Sequence, residues 1–464
     1  MWMLRPTPWR TLACSVVAVR RGAAMGPPKP GPLALLACRP RDTYLDLVFG
    51  VSSKPIDAEP GVRRADEETV VSGGDEEEGE GEEVVVSVDY VWLRDHCRAH
   101  GSSVRVDTGQ RLLDTASIPL DVRPRGARVH GDTLTLTWLD GHVSEYAGSW
   151  LFNASGERQR HSLTQPHTHL WDWLTLQRLA HHDPAVLLGE RFAAVLDCED
   201  ALRRVLHRLL LLGFAVVRET PPTMDATRAV AERLSFIRET VFGRMWEFSA
   251  DGERSDTAYT AESLDRHTDT TYLHEPARVQ VFHVLRGADE GGRTLLVDGF
   301  GAAWRLHRRR PDAFAVLARV PVTHEFSEGG AGGAGGGGGD AAGGRQHRHL
   351  LRATHTVVGT TPTANGGHGE LLMMCYNNYD RVSLAVSGHE EARRWYHAHR
   401  HLTALLRQPS TEAWFQLQPG TVLLIDNWRV LHGREAFLGP RRVCGCYLPH
   451  DDLMDTARRL GLLA

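Results

Sequence analysis

"LDRHTDTTYLHEP", residues 264 to 276, sets His267 two places before Asp269 in a stretch rich in threonine and tyrosine. On a β-strand, residues i and i+2 share a face about 6.5 Å apart, given a rise near 3.3 Å per residue, so both side chains can lean toward one ion from the same side. Alone the pair carries little weight in a chain with 25 histidines, where a solvated or core histidine is the ordinary outcome. A further ligand must arrive from a distant strand, and "VLLIDNWRVLHGRE" (422 to 435) supplies His432.

The 464 residues, 42% hydrophobic and 24% charged, leave room for two domains and have the make-up of a soluble globular protein. No run of about 18 apolar residues occurs, so no membrane partner is expected. A net charge of -5 gives no electrostatic footing for nucleic acid. Seven scattered cysteines make no disulfide framework and fit a reducing compartment. Cys444 and Cys446 should share one face of a strand as small buried hydrophobes. Residues 1–41 hold Arg5, Arg10, Arg20, Arg21, Arg39 and Arg41 and no acidic side chain, the composition of a mitochondrial transit peptide.

Residues 42–83, with the acidic run "ADEETVVSGGDEEEGEGEE" (65 to 83), are expected to be a disordered linker. From 84 to 152, β-branched and aromatic segments flank a turn at Asp140-Gly141, which predicts a small β-rich domain with a hairpin. Residues 200 to 219 predict an amphipathic helix bearing Leu202, Val205, Leu206, Leu209 and Leu210, ended by Gly213 and followed by a buried strand. A second helix is predicted from Met224 to Ile237 behind the capping residue Thr223. Beyond 240 the chain reads as short strands with glycine and asparagine turns, a mainly β sandwich or barrel with flanking helices. The run "EGGAGGAGGGGGDAAGG" (328 to 344) is a low-complexity insertion.

Two histidines and one carboxylate on one face of an octahedron leave three positions open, the ligand set of non-haem Fe(II) oxygenases. Around it, "RETVFGRMWEF" (238–248), "DTAYTAESLDRHTDTTY" (256–272), "GGRTLLVDGF" (291–300), "YNNYDR" (376–381) and "LIDNWRVLHGRE" (424–435) closely resemble the 2-oxoglutarate-dependent oxygenases of carnitine biosynthesis. The resemblance runs from about Asp89 to the C-terminus and is interrupted mainly by the glycine insertion. It implies a double-stranded β-helix, or jelly-roll, catalytic domain over 185–450 of TauD/TfdA type, behind a γ-butyrobetaine-hydroxylase-like N-terminal domain over 84–152.

The same resemblance implies site roles. His267, Asp269 and His432 would bind Fe(2+). Arg441, whose planar fork suits a carboxylate, and Thr294 would hold 2-oxoglutarate, with Arg442 pointing away. Phe242, Trp246, Tyr259 and Tyr447 would cage a trimethylammonium group, which cannot donate hydrogen bonds and is held by aromatic faces. Phe242 stands where the family usually has tyrosine. Asn377 would meet the substrate carboxylate, although Asn-Asn after a strand also reads as a turn. Asp256 would accept the α-ammonium that distinguishes trimethyllysine from γ-butyrobetaine. The expected activity is C3 hydroxylation of trimethyllysine with O2 and 2-oxoglutarate, giving succinate and CO2, the first step of carnitine biosynthesis. L-ascorbate would keep the iron reduced, and the setting would be the mitochondrial matrix, with a homodimer as the possible assembly. The alternatives are γ-butyrobetaine hydroxylation or a non-catalytic jelly-roll binding protein. The family's N-terminal domain can bind zinc through a cysteine cluster and a histidine. Here only Cys97 and His142 remain, with His100 as a substitute ligand, so that site is expected to be weakened or absent.

Overall fold

The structure, a computed structural model, describes residues 33–51, 84–154, 168–249, 260–329, 347–362 and 367–463. It divides into two compact units, residues 1–158 and 159–464. The stretch before Leu33, read as part of a transit peptide, the acidic run 65–83 and most of the glycine insertion lie outside the described residues.

The first unit holds two three-stranded antiparallel sheets, Leu33–Pro40, Tyr44–Val51 and Val84–Asp89 in one, and Pro124–His130, Thr133–Trp138 and Val143–Ala147 in the other. The hairpin at Asp140-Gly141 forms as its sequence predicts, with Gly141 at a φ of 85° and Trp138 N–H donating to the His142 carbonyl. Two expectations need correction. Strand Leu33–Pro40 falls inside the segment read as a leader, and Tyr44–Val51 inside the segment read as a disordered linker. Leu45, Leu47 and Phe49 alternate inward and pack with Leu134, Leu136 and Trp138. This period-two signal is only one strand long, and the flanking arginines and acidic run mask it when composition is averaged over a longer window.

In the second unit, a six-stranded sheet runs in the order Glu190–Arg191, Phe214–Arg218, Val422–Asp426, Val279–Arg286, Arg442–Leu448, Trp246–Ser249. A four-stranded sheet runs Leu264–His267, Val430–Arg434, Thr294–Asp298, Ala413–Phe415. Side chains from both meet in one core: Phe214, Val216, Leu423 and Ile425 from the first against Leu296, Ala413 and Val430 from the second. This is the jelly-roll architecture. The opposite face of the six-stranded sheet, with Ala215, Val217, Val281 and Leu424, packs on Val205, Leu206 and Val230 of two helices. The opposite face of the four-stranded sheet, with Leu295, Val297 and Leu431, packs beneath Phe300, Phe314 and Trp395 of three more helices.

The predicted helices form. Glu199–Leu212 ends at Gly213, whose φ of 80° is left-handed. A side chain at Gly213 would also strike Val430, since an added Cβ would sit 2.5 Å from its Cγ2. Met224–Leu234 is capped by Thr223, whose hydroxyl accepts from Ala226 N–H at 3.2 Å, and it stops short of the predicted Ile237. Cys444 and Cys446 are both buried in the sheet, and burial raises both thiols above their usual range.

Candidate active site

Alternation decides what enters the space between the sheets. On the strand Val430–Arg434, Leu431 faces the helices while Val430 joins the inter-sheet core, so His432 and Arg434 point inward with Val430. Strand Leu264–His267 is the antiparallel neighbour, and His267 lies directly opposite His432. Their ring centroids are 4.5 Å apart, as expected for a close cross-strand pair.

Asp269 reaches the same place by another route than the expected one. The strand ends at His267, and Asp269 is held by a turn rather than by strand alternation. Its N–H donates to Asn427 Oδ1 at 2.7 Å, and Asn427 Nδ2 donates back to the Asp269 carbonyl at 3.0 Å and to the Ala277 carbonyl at 2.9 Å. Thr268 is bound on both sides of its residue by Tyr376, through its own N–H (2.9 Å) and its hydroxyl (3.1 Å). Thr270 follows with a φ of 57°, a left-handed conformation uncommon for a β-branched residue and typical of functional sites. Its hydroxyl accepts from Ala277 N–H at 2.8 Å.

One donor atom each from His267, Asp269 and His432 lies within 4.8 Å of the others, and among the described residues no second group of this kind occurs. His267 Nε2 is 3.1 Å and His432 Nε2 is 3.8 Å from Asp269 Oδ1. His267 Nδ1 faces the Asp265 carbonyl at 2.8 Å. In the neutral ring with Nδ1 donating, Nε2 would turn its lone pair toward the centre, as metal binding requires. The other carboxylate oxygen of Asp269 accepts from Gln280 Nε2 and from the Tyr447 hydroxyl, the latter at 3.3 Å. Gln280 and Tyr447 are cross-strand partners, so one register places both donors.

Burial opposes the charge on Asp269, but its hydrogen bond to His267 and the neighbouring imidazoles hold its carboxyl well below the usual range. Burial also opposes the charge on His267, where the Asp269 contact prevails and raises it. His432, buried and beside His267, is pushed down to about 3. Its Nδ1 has no hydrogen-bond partner among the described residues. Two imidazole nitrogens and a carboxylate converging here, with the carboxylate's far oxygen already anchored, fit a divalent transition metal such as Fe(II).

The cleft around the triad has an aromatic side and a cationic side. Trp246 and Tyr447 lie 5.9 Å apart between ring centroids, and Phe242 meets Phe326 edge-on at 5.4 Å. Trp246 rests over Gly445, where an added Cβ would come 2.4 Å from the indole. On the cationic side, Thr294 and Arg441 both line the cleft. Arg441 immediately precedes the strand Arg442–Leu448. Burial, and secondarily the charge of Arg434, push its guanidinium down to about 10. Arg434 and Arg441 both stack near Phe437, at 5.1 and 5.4 Å from the ring centroid. No carboxylate among the described residues pairs with Arg441. Arg442 points outward to Glu247 at 2.8 Å.

Phe242, Trp246 and Tyr447, three of the four rings expected to form a cage, line this cleft. Tyr259 and Asp256 lie outside the described residues. Asn377 lines the cleft, but the turn alternative also holds: its Oδ1 accepts from Tyr379 N–H at 2.8 Å, and its Nδ2 donates to Asp380 at 2.8 Å and to the Thr268 carbonyl at 3.3 Å. Sequence reasoning missed Gln280, Asn427, Phe326 and Asp380. Gln280 alone left a signal, as a polar residue within the apolar strand "VQVFHVL".

Comparison with known proteins agrees with this geometry. Residues 177–447 match the profile of the taurine catabolism dioxygenase TauD, TfdA family, and residues 79–152 that of the γ-butyrobetaine hydroxylase-like N-terminal domain. The chain is 46% identical to the mitochondrial trimethyllysine dioxygenase of Rattus norvegicus, over 82% of this chain and 84% of that protein. It is 45% identical to that of Homo sapiens, with the same coverage. It is 28% identical to the γ-butyrobetaine dioxygenase of a Pseudomonas species, over 78% of this chain and 88% of that one. This chain therefore belongs to the TauD, TfdA family of dioxygenases, alongside the trimethyllysine dioxygenases.

Proposed function

We propose that the chain is an Fe(II)- and 2-oxoglutarate-dependent oxygenase that hydroxylates trimethyllysine at C3, the first step of carnitine biosynthesis. The observation that carries this reading is the convergence of His267, Asp269 and His432 in a cleft that is also lined by aromatic rings and by a half-buried Arg441 with which no carboxylate among the described residues pairs. The iron, when bound, supplies the oxidising chemistry on O2. The chain's own residues do the aiming. Arg441, with Thr294 in the same cleft, receives the distal carboxylate of 2-oxoglutarate through paired charge-assisted hydrogen bonds. Trp246, Tyr447, Phe242 and, from the resemblance, Tyr259 enclose the trimethylammonium, which fixes the distance from that end of the substrate to the metal. Gln280 and Tyr447 hold one oxygen of Asp269, and the other faces the two imidazoles where the ion would bind.

Greater similarity to trimethyllysine dioxygenases than to a γ-butyrobetaine dioxygenase favours the longer substrate. The matrix of the mitochondrion is the setting this reading expects, with ascorbate as reductant, and a targeting segment would then end before the strand that starts at Leu33. The domains we assign are 84–152, extended by the two preceding strands, and 185–450. Purified protein incubated with Fe(II), 2-oxoglutarate, ascorbate and each candidate substrate should add the mass of one oxygen atom to trimethyllysine and form succinate. Hydroxylated γ-butyrobetaine without hydroxylated trimethyllysine would transfer the assignment to the alternative, and no product from either would leave a binding protein.

A further inference from the structure

A further cavity of the catalytic unit, of about 280 Å³, shares no lining residue with the cleft. It sits where three neighbouring strands of the six-stranded sheet end together. Asp426 closes the strand Val422–Asp426, Arg278 immediately precedes Val279–Arg286, and His450 opens the helix that follows Arg442–Leu448. Register brings these ends side by side, since Val279 pairs with Asp426 on one edge and with Leu448 on the other.

The polar groups of this cavity are unevenly satisfied. Arg278 is 7% exposed and donates from Nη2 to Asp426 Oδ2 at 2.7 Å, while Asp426 Oδ1 accepts from Trp428 N–H at 3.1 Å. The guanidinium of Arg278 lies 4.9 Å from the centroid of the Trp428 ring, and His450 stacks on the same indole at 4.7 Å. Arg278 Nε and His450 Nδ1 are both buried without a hydrogen-bond partner among the described residues. Arg429, which also lines the cavity, is fully used: it donates to Asp298 at 3.1 and 2.9 Å, to the Leu211 carbonyl at 2.8 Å and to the His169 carbonyl at 2.6 Å. The unmet donor therefore belongs to Arg278.

A buried cationic N–H without an acceptor is costly, and an acceptor entering the cavity relieves that cost. Asp426 already shares the Arg278 guanidinium, so a second negative charge on the entering group would be repelled. The other walls, Leu210, Phe300, Leu372, Met454 and Leu463, are apolar. Hydrocarbon carried by the same molecule would cover them and release the water they order. The volume is close to the lower bound of small-molecule pockets, about 300 Å³.

We propose that this cavity binds a monocarboxylate with a short hydrocarbon chain, its carboxylate accepting from Arg278 Nε and its chain lying against Leu210, Phe300, Leu372 and Met454. The site is separate from the metal centre and does not depend on which substrate the cleft oxidises.

Titration calorimetry of the full chain with hexanoate, acetate, 1-hexanol and inorganic phosphate tests this. Hexanoate should bind saturably, acetate roughly tenfold or more weakly for want of buried methylenes, and hexanol and phosphate not measurably. The double variant Arg278→Met, Asp426→Asn removes both charges of the pair, so neither is buried alone, and should weaken hexanoate by roughly tenfold or more. Arg441→Met, in the cleft, should leave hexanoate binding unchanged. The assignment is overturned if hexanoate does not bind, if acetate, hexanol or phosphate binds as tightly, if the double variant keeps full affinity, or if Arg441→Met abolishes binding, which would place the ligand in the cleft. Should the double variant fail to fold, Leu210→Trp, which keeps the charges and fills the apolar part, must weaken hexanoate more than acetate; equal effects on both would overturn the proposal as well.

Discussion

Each unit of this molecule brings a histidine to a potential metal ligand, and the outcomes differ. In the N-terminal unit, Cys97 Sγ lies 3.2 Å from His142 Nε2, and Ala99 N–H points at the thiol at 3.4 Å. Nearby, His96 is turned to the Trp92 carbonyl at 2.8 Å, with its ring stacked on the indole. In the catalytic unit, three donors converge and the carboxylate is itself anchored. The difference lies in how many chain segments arrive. Cys97 follows a short helix and His142 sits at a hairpin turn, so two segments meet. The jelly-roll brings in paired strands, a turn clamped by Asn427 and two donors from the facing sheet. A metal centre needs that outer layer as much as its ligands.

The largest expected contrast is between ligands. His432→Ala should reduce turnover to background while near-UV circular dichroism stays native. Cys97→Ala should leave turnover intact, and a comparable loss there would erase the distinction between the clusters. Next come the anchoring residues. Gln280→Ala and Asn427→Ala should each cost roughly 10- to 100-fold in Fe(II) affinity or turnover, read from iron titrations of the apoprotein; unchanged affinity would mean the outer layer is dispensable.

Acid should separate the units as well. Burial depresses His283, His324 and His399 to about 4 from 6.5, all in the catalytic unit. Because the unfolded chain takes up protons first, these histidines leave stability untouched above about pH 6.5 and subtract from it as pH falls toward about 4. The N-terminal unit has His142 as its depressed histidine, lowered chiefly by burial. Hydrogen exchange at stepped pH should therefore show the catalytic unit opening first, and the reverse order would contradict the burial argument. The smallest effect concerns zinc: chelator-washed protein should hold less than one equivalent, and an equimolar content would restore the N-terminal pair to a full site.

Much of the catalytic unit was legible because local chemistry and periodicity point the same way. Leucines at helical spacing before Gly213 gave Glu199–Leu212, and alternation around Gly445 sent both cysteines into the core. The ligands His267 and His432 were legible from residue type and motif. Their facing registers were not, because strand pairing joins segments far apart in the chain. The strands Leu33–Pro40 and Tyr44–Val51 escaped notice because each is short and its neighbours are strongly charged. Asn377 kept both of its readings until its hydrogen bonds could be counted.

By itself, the sequence determined which side chains could bind a metal, a keto acid and a quaternary ammonium, since those capacities belong to residue type. Tertiary structure decided which of them meet. Asp269 reaches the ion through a left-handed Thr270 and the amide of Asn427, and Asp380 reaches the cleft through Asn377. Those contacts are long-range hydrogen bonds whose partners no local pattern specifies.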